Sequence, residues 1–145
     1  MARAVALDLG SKRIGVAASD TTRTLASPVI VLLRRGSQRE DHKAIAAIVE
    51  EYEADTIVVG LPLGLDGREG KAAQVIRAEE PALRALFEAG GVRIVMHDER
   101  FTTTTAHANL RERNLNAAKR RNIVDKVAAA VLLQSWLDGE KGRAE

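Results

Sequence analysis

The stretch VALDLGSKRIGVAASD, residues 5–20, decides how the chain is read. Its first half is apolar except for Asp8, its middle turns through Gly10 and Gly15, and its second half is apolar again. That pattern predicts strands over 3–9 and 14–19, joined by the tight link GSKR into a hairpin. A carboxylate at the end of a buried-looking strand has three explanations. It belongs to a phosphate-binding hairpin, to a metal site, or simply to the turn.

Outward from the hairpin, SPVIVLL at 27–33 is β-branched and opens with Pro28, which suits the start of a strand. Ile45, Ile48, Val49 and Tyr52 share one helical face, predicting a helix over 41–53. TIVVG at 56–60 reads as a strand covered on both faces, and LPLGLDGREG after it as a loop. Residues 71–88 are helical in pattern, with Pro81 expected to kink or split them. GGVRIVMH at 90–97 is a further strand ending at DER. Thr102 or Thr103 is placed as the cap of a helix to 112, RNLNAAKRR as a mobile loop, and 121–138 as a last, largely apolar helix. Three meandering strands followed by alternation predict an α/β fold with a mixed sheet flanked by helices. The expected organisation is one domain over 1–138 and a frayed tail over 139–145.

The chain has 145 residues, 46% of them hydrophobic and 29% charged, the balance of a globular domain with a real core. It has no cysteine, which excludes disulfides, a thiol nucleophile and thiolate metal sites, and fits a cytoplasmic protein. No signal peptide or apolar run of membrane-spanning length is visible, so no membrane partner is expected. The net charge of +2 says little, but basic residues cluster. One cluster is Arg34, Arg35 and Arg39, and the other is Arg111, Arg113, Lys119, Arg120 and Arg121. Each is either a phosphate-binding rim or a solvated face. With aromatics at 3%, recognition of a nucleic acid would rest on its backbone and shape rather than on base stacking.

The acids carry more. Asp8 ends the first strand, and Asp98 and Glu99 end the last. Asp125 lies in line with Ala129, Leu132 and Trp136 at helical spacing, hence on an apolar face. A buried carboxylate needs compensation, and converging ones share a proton or a divalent cation. Oxygen-only ligands favour Mg²⁺ or Mn²⁺, and two such ions can clamp an in-line phosphoryl displacement. Each acid also has a plain reading: a turn residue for Asp8, a helix-dipole partner for Asp125, a surface pair with Arg100 for Asp98 or Glu99. His42, His97 and His107 have no metal-ligand spacing, the serines sit in no nucleophile elbow, and no P-loop or Rossmann glycine pattern occurs.

DLGSKRIG by itself resembles the first phosphate loop of the actin, sugar-kinase and heat-shock ATPase superfamily. A chain of this length supplies only one wall of such a cleft. Four blocks in order, ALDLGSKRIGVAASD, VVGLPLGLDGREG, DERFTTTTA and VDKVAAAVLLQSWLD, resemble the YqgF family of ribonuclease H-like nucleases, also described as Holliday-junction-resolvase-like. The resemblance spans about 3–138. It implies a ribonuclease H-like fold with a five-stranded mixed sheet, and a divalent-metal nuclease processing the 5′ end of 16S ribosomal RNA precursor. It also implies Asp8, Glu99 and Asp125 as catalytic and metal-binding acids, with Asp98 and Asp66 as further candidate ligands. Lys12, Arg13 and Arg100 would grip phosphates, joined by the basic residues from Arg111 to Arg121. Two departures stand out. Gly64 replaces an Asn usual in the family's loop, and GLPL carries no acid after the fourth strand, so a second carboxylate must come from DER or the loop. Other expectations are a junction resolvase acting as a homodimer on branched DNA, and a binder of structured RNA or ribosomal particles that cleaves nothing.

Overall fold

A computed structural model describes residues 2–99 and 117–144. The order is β1 (Arg3–Leu9), β2 (Arg13–Ser19), β3 (Ala26–Leu33), α1 (Gln38–Glu51), β4 (Ala54–Leu61), α2 (Lys71–Glu88), β5 (Arg93–Asp98) and a long α3 (Ala117–Ala144). The five strands form one sheet in the order β3-β2-β1-β4-β5. β1 pairs antiparallel with β2 and parallel with β4, so it is the central strand of a mixed sheet. The carboxyl ends of β1, β4 and β5 therefore fall at one edge of the domain, where Asp8 and Glu99 lie.

Strand alternation gives the sheet two unlike faces. Val5, Leu7, Leu9, Ile14, Val16, Ile57, Val59 and Leu61 form one core with Ile45 and Ile48 of α1 and Ile76, Leu83 and Phe87 of α2. The opposite face presents Ala4, Ala6, Ala17 and Val58 to Ala129, Leu132, Leu133, Trp136 and Leu137 of α3. Large side chains on one face hold two helices at ordinary distance. Small ones on the other let α3 lie close. Full burial of a leucine side chain contributes roughly 1.5–3 kcal/mol, so Leu132, Leu133 and Leu137, each at most 1% exposed, bind α3 firmly.

Several local expectations need correcting. Gly15 is not in the turn: it sits inside β2, directly opposite Asp8. α2 runs unbroken through Pro81. The proline lies on the exposed side of the helix, where water can serve the carbonyl it leaves unbonded. Arg77 and Arg84 close ion pairs with Glu80 on either side of it. α1 begins at Gln38, earlier than periodicity indicates, because the Ser37 side chain caps it by accepting from the Glu40 N–H. Pro28 lies within β3, not at its start, beside a register shift between Val16 and Ala17 of the partner strand. Residues 117–120, expected in a loop, already belong to α3, which runs on past Asp138 to Ala144. Helix-forming Ala, Lys, Arg and Glu dominate both extensions. The capped helix expected over 102–112 lies outside the described residues. Among the described residues, no helix is long and apolar enough to cross a membrane.

The close seat of α3 is testable at two glycines. A Cβ on Gly15 would stand 2.1 Å from the backbone oxygen of Asp125, whereas one on Gly139 would meet nothing within 4 Å. Urea unfolding should show Gly15→Ala destabilised by about 1–3 kcal/mol through overpacking. Gly139→Ala should stabilise by roughly 0.5–1 kcal/mol through helix propensity.

Candidate functional site

Asp8 occupies the last but one position of β1 and faces α3, as Ala4 and Ala6 do. Its neighbours across the sheet are glycines. Gly15 pairs with it on β2, and Gly60 follows Val59, the β4 partner of Leu7. These glycines leave room for two other groups. Asp125 brings its backbone against Gly15, and a Cβ on Gly60 would stand 2.2 Å from Glu99 Oε2. The Glu99 carboxylate thus lies over the strand beside Asp8. Its position is fixed by its own N–H, which donates to Leu61 O at 3.2 Å and prolongs the β4–β5 pairing by one residue.

The same alternation separates the two acids of DER. Asp98 follows Ile94 and Met96, which pack toward α1 and α2, so it shares their face of the sheet. Glu99 has the opposite parity and reaches the Asp8 side.

The electrostatics record the crowding. Burial, then the charge of Asp125, pushes the Asp8 carboxyl up to about 6. Burial, then the charges of Asp8 and Asp98, pushes Glu99 up to about 7. Asp125 meets a cation: its Oδ2 lies 2.8 Å from Arg13 Nε. That contact is an ion pair without hydrogen-bond alignment, because the same buried oxygen accepts no hydrogen bond. Ala129, Leu132 and Trp136, in line with Asp125, are buried as expected.

Asp8, Glu99 and Asp125 therefore gather at one edge of the sheet, near enough that Asp125 raises the proton affinity of Asp8, and Asp8 that of Glu99. Among the described residues, though, no three His, Asp or Glu side chains stand close enough to hold a metal ion between them. Like charges gain nothing from closer approach, and Asp125 is drawn toward Arg13. The donor set itself suits a hard cation: all oxygen, desolvated, with one acceptor unfilled.

The remaining candidates divide. Lys12 is exposed on the hairpin turn. Asp66 is held within its own loop, accepting from the Arg68 N–H at 3.0 Å, with Arg68 Nε at 3.6 Å. Lys119, Arg120 and Arg121 fall in the first turns of α3. Arg100, Arg111 and Arg113 lie outside the described residues. Sequence reasoning missed the two flanking glycines, although a glycine inside a strand pattern signals a close approach. It also missed Arg34, which is no part of an exposed rim but pairs with buried Asp41 and Glu79.

Comparison with known proteins gives the chain a family. The family model described as RuvX, Holliday junction resolvase, matches residues 2–139. The chain belongs to this family. A Rhodococcus erythropolis relative, provisionally named a pre-16S rRNA nuclease, is 46% identical over 98% of this chain and 80% of its own. One from Anaeromyxobacter sp. strain K, with the same name, is 43% identical over 94% of this chain and 96% of its own. Among solved structures, Thermus thermophilus RuvC bound to a Holliday junction superposes with a TM-score of 0.58 at 13% identity, covering 98% of this chain and 97% of that one. Fowlpox virus resolvase with junction DNA gives 0.57 at 14% identity, covering 95% and 98%. The fold is ribonuclease H-like, with the expected five-stranded mixed sheet.

Raised carboxylates fix a pH dependence in metal-free protein. Asp8 and Glu99 bind protons more tightly folded than unfolded, so neutralising them favours the folded state. Stability should therefore fall as pH rises from about 4 toward 7, the window between their ordinary values and the raised ones. In EDTA, Asp8→Asn should melt higher than wild type at pH 7.5 and lose most of the difference at pH 4. A wild-type melting temperature that rises steadily from pH 4 to 7 would contradict this.

Proposed function

We propose that this protein is a metal-dependent endonuclease that trims the 5′ end of the 16S ribosomal RNA precursor. Membership of the family makes the chain a nuclease. The finer reading is carried by one observation: Asp8 and Glu99 share one sheet face at the strand ends, beside Asp125 of the helix packed over it. The names of relatives at 43% and 46% identity favour RNA as the substrate.

In this reading Asp8, Glu99 and Asp125 hold Mg²⁺ or Mn²⁺, with Asp98 close by. When bound, such ions neutralise the acids, activate a water and stabilise the leaving oxygen. Asp8, on the central strand, is the least movable of the three. Asp125, whose Oδ2 accepts no hydrogen bond, would offer that oxygen to the cation, and Arg13 beside it would serve the scissile phosphate. Lys12 on the exposed turn meets the backbone further along. The sequence supplies further cations that this reading assigns to the nucleic-acid backbone: Arg100, Arg111, Arg113 and Lys119 to Arg121.

A second reading, cleavage of four-way DNA junctions, is favoured by the family's own description. It suits a homodimer, since two symmetric cuts fit two-fold symmetry.

The test sets a 16S precursor fragment against a four-way junction, with Mg²⁺ or Mn²⁺. Wild type should cut the RNA. Asp8→Asn, Glu99→Gln and Asp125→Asn should each lose more than the roughly 10–100-fold that loss of a metal's outer partner costs. Junction cutting alone would replace the RNA reading, and metal-independent cutting would remove the ions from it. In the same buffers Mg²⁺ should raise the melting temperature of wild type and not of Asp8→Asn, since a ligand of the folded state stabilises by mass action.

A further inference from the structure

Arg34 follows β3 directly, and its guanidinium donates four hydrogen bonds. Its backbone N–H donates to Lys12 O at 2.9 Å, and its Nε donates to Gly10 O at 2.8 Å. One residue thus grips both carbonyls that flank Ser11, at the tip of the β1–β2 hairpin. The far edge of the same guanidinium is anchored to both helices of the opposite face. Its two terminal nitrogens donate to the two Glu79 oxygens of α2 at 3.0 and 2.9 Å, and one donates to Asp41 of α1 at 3.2 Å.

The anchors are themselves fixed. Asp41 also accepts from the Arg35 N–H at 2.8 Å, and His42 Nε2 lies 2.7 Å from Glu79 Oε2. Asp41, Glu79 and His42 are all buried. Burial alone would raise the Glu79 carboxyl, but the hydrogen bonds from Arg34 and His42 hold it below its ordinary value, so it stays ionised. Beneath the turn lies a cleft of about 570 Å³ bordered by Gly10, Lys12, Arg34 and Glu79. No packed apolar side chain fills it, and the turn rests on Arg34. The turn itself closes tightly, with Gly10 N–H donating to Arg13 O at 2.8 Å.

We infer that Arg34 is a positioning residue of the nuclease site: braced by Glu79 and Asp41, it fixes the hairpin turn that carries Asp8 on one side and Lys12 and Arg13 on the other. Its side-chain partners are Gly10, Asp41 and Glu79, and not Asp8, Glu99 or Asp125. The inference rests on the proposed site, because the turn matters for catalysis only if Asp8 and Arg13 act there. Lysine cannot replace this arginine. An ammonium keeps the charge but cannot reach Gly10 O and grip Glu79 with two parallel bonds at once.

The experiment compares Arg34→Lys and Glu79→Gln with Leu83→Ala, a core truncation in α2 that lowers stability away from the turn. Amide hydrogen exchange over residues 9–13 and steady-state kinetics on the RNA are measured well below each melting temperature. Both network variants should speed exchange at the turn and lower kcat by about tenfold or more, as loss of an outer support does, with a smaller change in KM. Leu83→Ala should keep turn protection and kcat. Unchanged exchange at the turn in Arg34→Lys and Glu79→Gln overturns the inference, as does a kcat retained despite a loosened turn, or equal loosening in Leu83→Ala. If wild type cuts no nucleic acid, the proposed function falls. Turn exchange together with Mg²⁺ affinity by calorimetry, expected to weaken in Arg34→Lys, then decides the positioning role alone.

Discussion

A sheet face that brings further acids to a buried strand carboxylate needs open space beside that strand. The glycines on either side of Asp8 provide it, and Asp125 and Glu99 occupy it. The same constraint shapes the whole α3 layer. Alanines on β1 and β2 allow the helix to approach, Gly15 lets its backbone touch the sheet, and Gly60 makes space for Glu99. A bulkier sheet face would lift the helix, carry Asp125 away and fill the space over β4. Close packing and the gathering of acids are one geometric fact.

The opposite layer does different work. Its large aliphatic side chains make a conventional core, and its charged groups are satisfied among themselves. Breaking such a buried set by removing one partner is expensive, because the remaining charge is left uncompensated. Arg34 therefore transmits the rigidity of that core to the exposed hairpin turn that follows Asp8. The site is supported from both faces of the sheet, by helix packing on one and by hydrogen bonds on the other.

Much of this was legible in the chain. The hairpin, the β-branched runs and the stripe of Asp125, Ala129, Leu132 and Trp136 follow from local periodicity, and burial of the last three agrees with it. The parity of β5 shows why DER was harder. Which of Asp98 and Glu99 faces α3 depends on strand register, and a shift of one residue exchanges them. Gly15 was read as a turn residue because its reason for being glycine lies more than a hundred residues away, in the backbone of Asp125. Arg34 looked like part of an exposed basic run, since its partners Asp41 and Glu79 come from separate helices. Pro81 was weighed as a breaker, but propensity does not reveal which side of a helix faces water. The failures at Gly15 and Arg34 both concern a contact with another segment of the fold.

β3, at one margin of the sheet, bears on how this molecule meets copies of itself. Its outer backbone is the natural place for another chain to add a strand, and long flat margins of this kind invite uncontrolled polymerisation. Pro28 offers no donor, and the register shift beside it bends the ribbon and interrupts any regular ladder. A partner seeking to extend the sheet there would find no continuous template. Polymerisation by strand addition along this margin is thereby disfavoured.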